Sequence, residues 1–149
     1  MRDADNRQSA AAALWDPRQL SHETWRQIGI DPATLSSDIG GLDHVDGFKR
    51  CGGYDGARTY LVDVWAQIYT VTDFQRKKIG ADFVPVTIDH RSGLGYRPAF
   101  RPADHYSLVF PSIHGSYSVE VLRVDPRSQV EPRDHAIKVA KIVVPLLPE

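Results

Sequence analysis

Residues 60–79, YLVDVWAQIYTVTDFQRKKI, decide the fold. Val62, Val64, Ala66 and Ile68 alternate with Asp63, Trp65, Gln67 and Tyr69, and a period of two marks a strand with one face on a core. So regular an alternation predicts a central strand. Across a short turn the stretch becomes a helix: Thr72 is placed to cap its N-terminus, Asp73 lies near the positive end of the dipole, and Arg76, Lys77 and Lys78 lie near the negative end. Gly80 then stops it.

Upstream, Gly47 to Tyr54 reads as a strand anchored by Phe48 and Cys51. Gly52-Gly53 and Tyr54-Asp55-Gly56 turn it back as an antiparallel neighbour of the central strand. Before it, Asp31-Pro32 opens a turn, and Ala33 to Ile39 runs extended up to Gly40-Gly41. Ser21 starts a short helix, with Leu20 and Trp25 as a hydrophobic staple, Leu20, Thr24, Trp25 and Ile28 on one face, and Gly29 as its stop. Asp16-Pro17 forms an earlier cap and first-turn proline.

Downstream, Val84, Val86 and Ile88 alternate within Phe83 to Ile88, and Pro85 predicts an edge position or a point where the ladder is interrupted. Asp89 to Gly93 is read as a turn into Leu94 to Phe100, where Tyr96 and Phe100 alternate. Tyr106 to Phe110 and Gly115 to Val124 form a hairpin around residues 111–114. Arg133 to Val144 carries Ala136, Ile137, Ala140 and Val144 at helical spacing, and Pro145 ends it. The predicted class is α+β, a twisted antiparallel sheet flanked by helices.

At 149 residues, 42% of them apolar and 25% charged, the chain is expected to hold one folded domain over 14–149, behind a flexible tether of residues 1–13. Its net charge of -1 supplies no field for nucleic acid or an anionic membrane, and Arg76-Lys77-Lys78 is explained by its helix terminus. No apolar run reaches the eighteen or more residues of a membrane span.

Six histidines and one cysteine are the groups that could carry chemistry. His22, His44, His90, His105, His114 and His135 include no pair at zincin spacing, so solvated loop histidines are expected and no metal or cofactor is assigned. Four of them follow an aspartate directly, but sequence neighbours diverge in space, so adjacency does not make a carboxylate orient its own imidazole. There is no G-x-S-x-G elbow and no phosphate-cradling glycine motif. Cys51 reads as a small packing residue.

Trp15-Asp16-Pro17, Gly29-Ile30-Asp31-Pro32, Phe48-Lys49-Arg50-Cys51-Gly52, Val84-Pro85-Val86-Thr87-Ile88, Gly93-Leu94-Gly95-Tyr96-Arg97, Val109-Phe110-Pro111 and Pro132, in that order, resemble a family of actinobacterial, notably mycobacterial, cell-envelope lipoproteins known as domain of unknown function 3558. The resemblance covers about residues 14–148. It implies a PsbP/Mog1-like fold, an upstream export signal with a lipid-anchoring cysteine, and an extracytoplasmic, membrane-anchored address without assigned activity. It also implies departures: this chain has Arg18 and Arg133 where the family carries cysteines, and only the position of Cys51 is kept.

The functional expectation is a non-enzymatic domain that binds an envelope protein or an apolar or lipid ligand. Trp65 and Tyr69 lie opposite the aliphatic stripe, where they either pack beneath a helix or line an open surface with Tyr96 and Arg97 at its rim. Two alternatives stand beside it: a cytoplasmic interaction or immunity-type module, and a hydrolase-like enzyme using Cys51 or a histidine.

Overall fold

The alternation in residues 60–67 does form a strand, and it is an interior one. The structure, a computed structural model, describes residues 11–77 and 79–149. Residues 1–10 of the expected tether lie outside the described residues, and residues 11–13 are helical. Six strands, β1 (Phe48–Tyr54), β2 (Tyr60–Gln67), β3 (Gly80–Ile88), β4 (Arg91–Pro98), β5 (His105–Ser112) and β6 (Gly115–Arg123), form one sheet in the order β1-β2-β6-β5-β4-β3. Every neighbouring pair is antiparallel. The first hairpin and the β3-to-β6 meander are joined where β2 pairs with β6, Val62 opposite Val121 and Val64 opposite Val119.

Besides the helical residues 11–13, three helices among the described residues, α1 (His22–Ile28), α2 (Val71–Arg76) and α3 (Pro132–Val143), accompany the sheet. Ser21 caps α1 by accepting from the Thr24 amide, and Gly29 closes it at φ 94°, in the left-handed region where a Cβ is penalised. Helix α3 packs on β5, β6 and α1. The core lies between them: Val62, Val64, Ala66, Leu108, Val119 and Val121 from the sheet meet Trp25, Ala136, Val139, Ala140 and Val143, all fully buried. No helix is long and apolar enough to cross a membrane.

Several expectations are corrected. The cap of α2 is Thr70, not Thr72: Thr70 accepts from the Asp73 amide while Asp73 accepts from the Thr70 amide, and this reciprocal capping box outweighs a start two residues later. Helix α2 ends at Arg76, and Lys78 lies outside the described residues. The β3–β4 turn is only Asp89-His90, both at positive φ, as a two-residue hairpin demands. Strand β4 stops at Pro98, which leaves Phe100 exposed. Residues Pro32–Thr34 form a 3₁₀ turn, and past them the extended segment pairs with the sheet backbone at the single Ser36–Gly52 bridge instead of running as a strand. Pro145 does not end the C-terminal helix abruptly; it sits in a 3₁₀ turn, Val144–Leu146, that continues it. Pro85 does lie on an edge strand. Counting from the turn, Ile88, Val86 and Val84 hold the bonded positions of the ladder, so Pro85 faces outward where no donor is required.

Candidate functional site

The second face of β2 carries Leu61, Asp63, Trp65 and Gln67, and the register decides what meets them. Gln67 is buried and donates from Nε2 to Ser116 Oγ and Ser118 Oγ, both at 2.9 Å. Beside it, Phe48 stands edge-on to Trp65 at 6.2 Å and tilts against Tyr69 at 5.4 Å. The capping box turns α2 so that Phe74 and Lys77, three residues apart, come to the same side, and the Lys77 ammonium lies 4.1 Å from the Tyr69 ring centre. Phe48, Tyr69, Asp73, Phe74, Lys77 and Ile79 thereby enclose a half-open, mostly apolar hollow of about 180 Å³.

A row of charges crosses the middle of the same face. Arg50 donates from Nε to Asp63 Oδ1 at 2.8 Å, with Nη2 in ion-pair contact 2.7 Å from the same oxygen, and its Nη1 donates to the Asp38 carbonyl at 2.7 Å. Asp63 stands directly opposite Glu120 in the ladder. Glu120 Oε2 lies 3.0 Å from His105 Nε2, and His105 Nδ1 donates to the Phe100 carbonyl at 3.0 Å. Both partners of this imidazole are acceptors, so only the doubly protonated ring satisfies both. Burial works against that charge, but the hydrogen bond and charge of Glu120 outweigh it and hold His105 above its ordinary value. Asp63 moves the other way for an acid: burial, with Glu120 adding to it against Arg50, pushes it up to about 6.

Gly52 is part of this arrangement. A Cβ there would collide with the Asp63 carboxylate and the Val62 carbonyl, so the carboxylate lies across a bare α-carbon. Gly52→Ala is expected to push Asp63 off Arg50 at a cost of about 2 kcal/mol. Urea unfolding against Gly56→Ala, where nothing lies within 4 Å of the added atom, checks this; equal midpoints for the two variants would contradict it.

The structure separates the expected site residues. Trp65 and Tyr69 do come together through Phe48. Tyr96 is buried on the same face and stacks on Phe83 at 4.8 Å, its hydroxyl pushed up by burial and by the Glu120 charge. Arg97 is no companion rim residue: as the next residue on β4 it points to the α3 side, 3.5 Å from Glu131 and over the Tyr106 ring. Cys51 also faces the core side, opposite Val64, and burial pushes its thiol up to about 11, which leaves no thiolate near neutrality. His22, His44, His90 and His114 are solvated as expected. His105 is not, and neither is His135, which packs 4.2 Å from the Tyr60 ring with its Nε2 buried and unpartnered. Among the described residues, no three of the His, Cys, Asp and Glu side chains are arranged to hold a metal ion.

Sequence reasoning missed Arg50, Glu120 and His105. Alternation alone could have put Asp63 and Glu120 on outward faces, but their meeting depends on the pairing of β2 with β6. No family model matches the chain, and no curated protein and no solved structure is significantly similar to it.

Proposed function

We propose that this domain is a non-enzymatic binding module of the cell envelope, the folded part of a lipid-anchored protein, whose partner is a protein that inserts one apolar side chain next to an acidic group. The observation that carries the binding mode is the hollow between Phe48, Tyr69, Phe74 and Ile79, with Lys77 at its edge. A dry cavity of about 150 Å³ takes a benzene ring, so about 180 Å³ suits one ring or branched side chain, the size of an interface anchor rather than of a whole acyl chain. Lys77 lies exposed at that edge and favours an anion there. The ordered motifs from Trp15 to Pro132 support the envelope address. The protonated, buried state of Cys51 counts against the thiol-based hydrolase.

Phenylacetate is the matched probe, a ring with one carboxylate. It is expected to bind with a Kd on the order of 1 mM, as a small fragment should, and to shift the amide resonances of Phe48, Tyr69 and Phe74. Ile79→Asp is expected to abolish those shifts. Shifts that survive Ile79→Asp, or saturable binding of palmitate with no effect of phenylacetate, would overturn the anchor reading, the second result in favour of a lipid ligand. Labelled palmitate in the membrane fraction of the natural host checks the anchor separately.

A further inference from the structure

Another hollow, of about 420 Å³, opens where residues 13–19 pass the β5–β6 turn and Pro148–Glu149. Its volume falls within the roughly 300–1,000 Å³ of small-molecule sites. Tyr117 forms part of its wall and keeps step along β6 with the inward Val119 and Val121, so this hollow belongs to the α3 side of the sheet, away from the apolar one. Tyr117 is 4% exposed, and its hydroxyl has no hydrogen-bond partner among the described residues. Trp15 stands edge-on to it at 5.8 Å, and the Arg91 guanidinium lies 5.5 Å from the Tyr117 ring centre. With Tyr117 so engaged, the partly exposed Trp15 is the ring with open surface. Four hydrogen-bonding side chains share the lining: Gln19, Ser112, His114 and Glu149.

That combination selects among ligands. An acyl chain would bury those four polar groups without partners. A phosphate would need a free cation, but Arg91 donates from Nη2 to the Pro148 carbonyl at 2.8 Å and lies within reach of the Leu147 and Pro111 carbonyls. A peptide adding a strand would need an unpaired edge, whereas β5 and β6 are paired with each other up to the turn, Ser112 opposite Gly115. A sugar ring has C–H bonds on its faces and hydroxyls round its rim, and each hydroxyl both donates and accepts. Gln19 and Ser112 do the same, neutral His114 does so through its two ring nitrogens, and the Glu149 carboxylate accepts.

We propose that this hollow is a saccharide-binding site, in which one sugar ring lies against Trp15 and its hydroxyls bond to Gln19, Ser112, His114 and Glu149. The indole supplies the apolar surface, and the rim supplies the orientation.

Cellobiose is the probe, titrated into the whole chain. It is expected to bind with a Kd on the order of 1 mM and to give saturable shifts of the Trp15 indole N–H and of the Ser112, Ile113 and His114 amides. Trp15→Ala should weaken binding about tenfold. Gln19→Ala and His114→Ala, at exposed positions where folding is not at stake, should each weaken it about threefold, the loss of one neutral hydrogen bond. Ile79→Asp, which disables the apolar hollow, should leave it unchanged, so the two sites fail independently. No saturable shift from cellobiose, or binding that survives both Trp15→Ala and Gln19→Ala, would overturn the proposal. Shifts of the same signals by the capped peptide acetyl-Ala-Ala-Ala-amide but not by cellobiose would overturn it in favour of a peptide.

Discussion

The protein is expected to be more stable at pH 5 than at pH 7, and Asp63→Asn is expected to remove most of that difference by raising stability at pH 7. Asp63 has a folded-state pKa of about 6 against an ordinary 3.8. The folded state therefore binds the proton more tightly, and stability falls as pH rises through that window. At about 1.36 kcal/mol per pKa unit the full effect is about 3 kcal/mol, an upper figure because the side chain is 17% exposed. His105 acts in the same direction: its pKa is raised, so its contribution is complete below 6.5 and is lost as pH climbs through the folded value. His135 opposes them, since its pKa is lowered by burial and it costs stability as pH falls below 6.5. The carboxylates with depressed values, Asp16, Asp73, Asp104 and Asp125, begin to lose their partners only below the ordinary 3.8. The maximum should therefore lie near pH 5. Only about 1.4 kcal/mol of it is developed between pH 7 and pH 5, because the rest comes as pH falls on towards 3.8, and for a chain of this size that corresponds to a melting shift of roughly 3–6 °C before the opposing share of His135. Melting curves of both proteins at pH 5 and pH 7 check this. A wild-type melting point that drops on acidification, or an Asp63→Asn protein less stable at pH 7, would mean that the Arg50 bridge outweighs burial and the Glu120 charge.

The same row shows what could be read ahead of the structure. Alternation in residues 60–67 gave the inward set Val62, Val64 and Ala66, because side-chain direction along one strand is a local property. Caps at Ser21 and Gly29 and the edge position of Pro85 were legible for the same reason: each is a demand made by one residue on its own backbone. The pairing of β2 with β6 is not local. It places Glu120 beside Asp63, and then His105 beside Glu120, through contacts that no period in the sequence encodes. The diverging of Asp104 and His105 was foreseeable, and Asp104 indeed bonds Arg123 while His105 bonds Glu120. Pairing Tyr96 with Arg97 at one rim broke that same rule, and the structure sends them to opposite faces. In α3 the helical period was right but its face was drawn too far round: Val139 and Val143 fill the core, and Ile137 only borders it. Two small residues, Ala136 and Ala140, had drawn attention to a stripe whose bulk lies beside them.

Trp25→Ala is expected to cost about 4 kcal/mol and Trp25→Phe less than half of that. Trp25 is the largest fully buried side chain, fixed on α1 and packed into the cluster shared with the sheet and α3. Its removal leaves a cavity that a seven-residue helix held by Ser21 and Gly29 cannot close by shifting. Against a total stability of about 5–15 kcal/mol, that loss is severe. The phenylalanine variant isolates the indole nitrogen. Trp25 Nε1 is buried and has no hydrogen-bond partner, so exchanging the indole for a benzyl ring removes volume but no bond, and it deletes a donor whose burial is itself unfavourable. Were the N–H bonded to an ordered water or to a carbonyl, its loss would strand that acceptor and add about 1–3 kcal/mol. Urea unfolding of the two variants therefore separates the possibilities: a small cost for Trp25→Phe is the result of packing alone, whereas a cost near that of Trp25→Ala would show that the indole nitrogen is engaged.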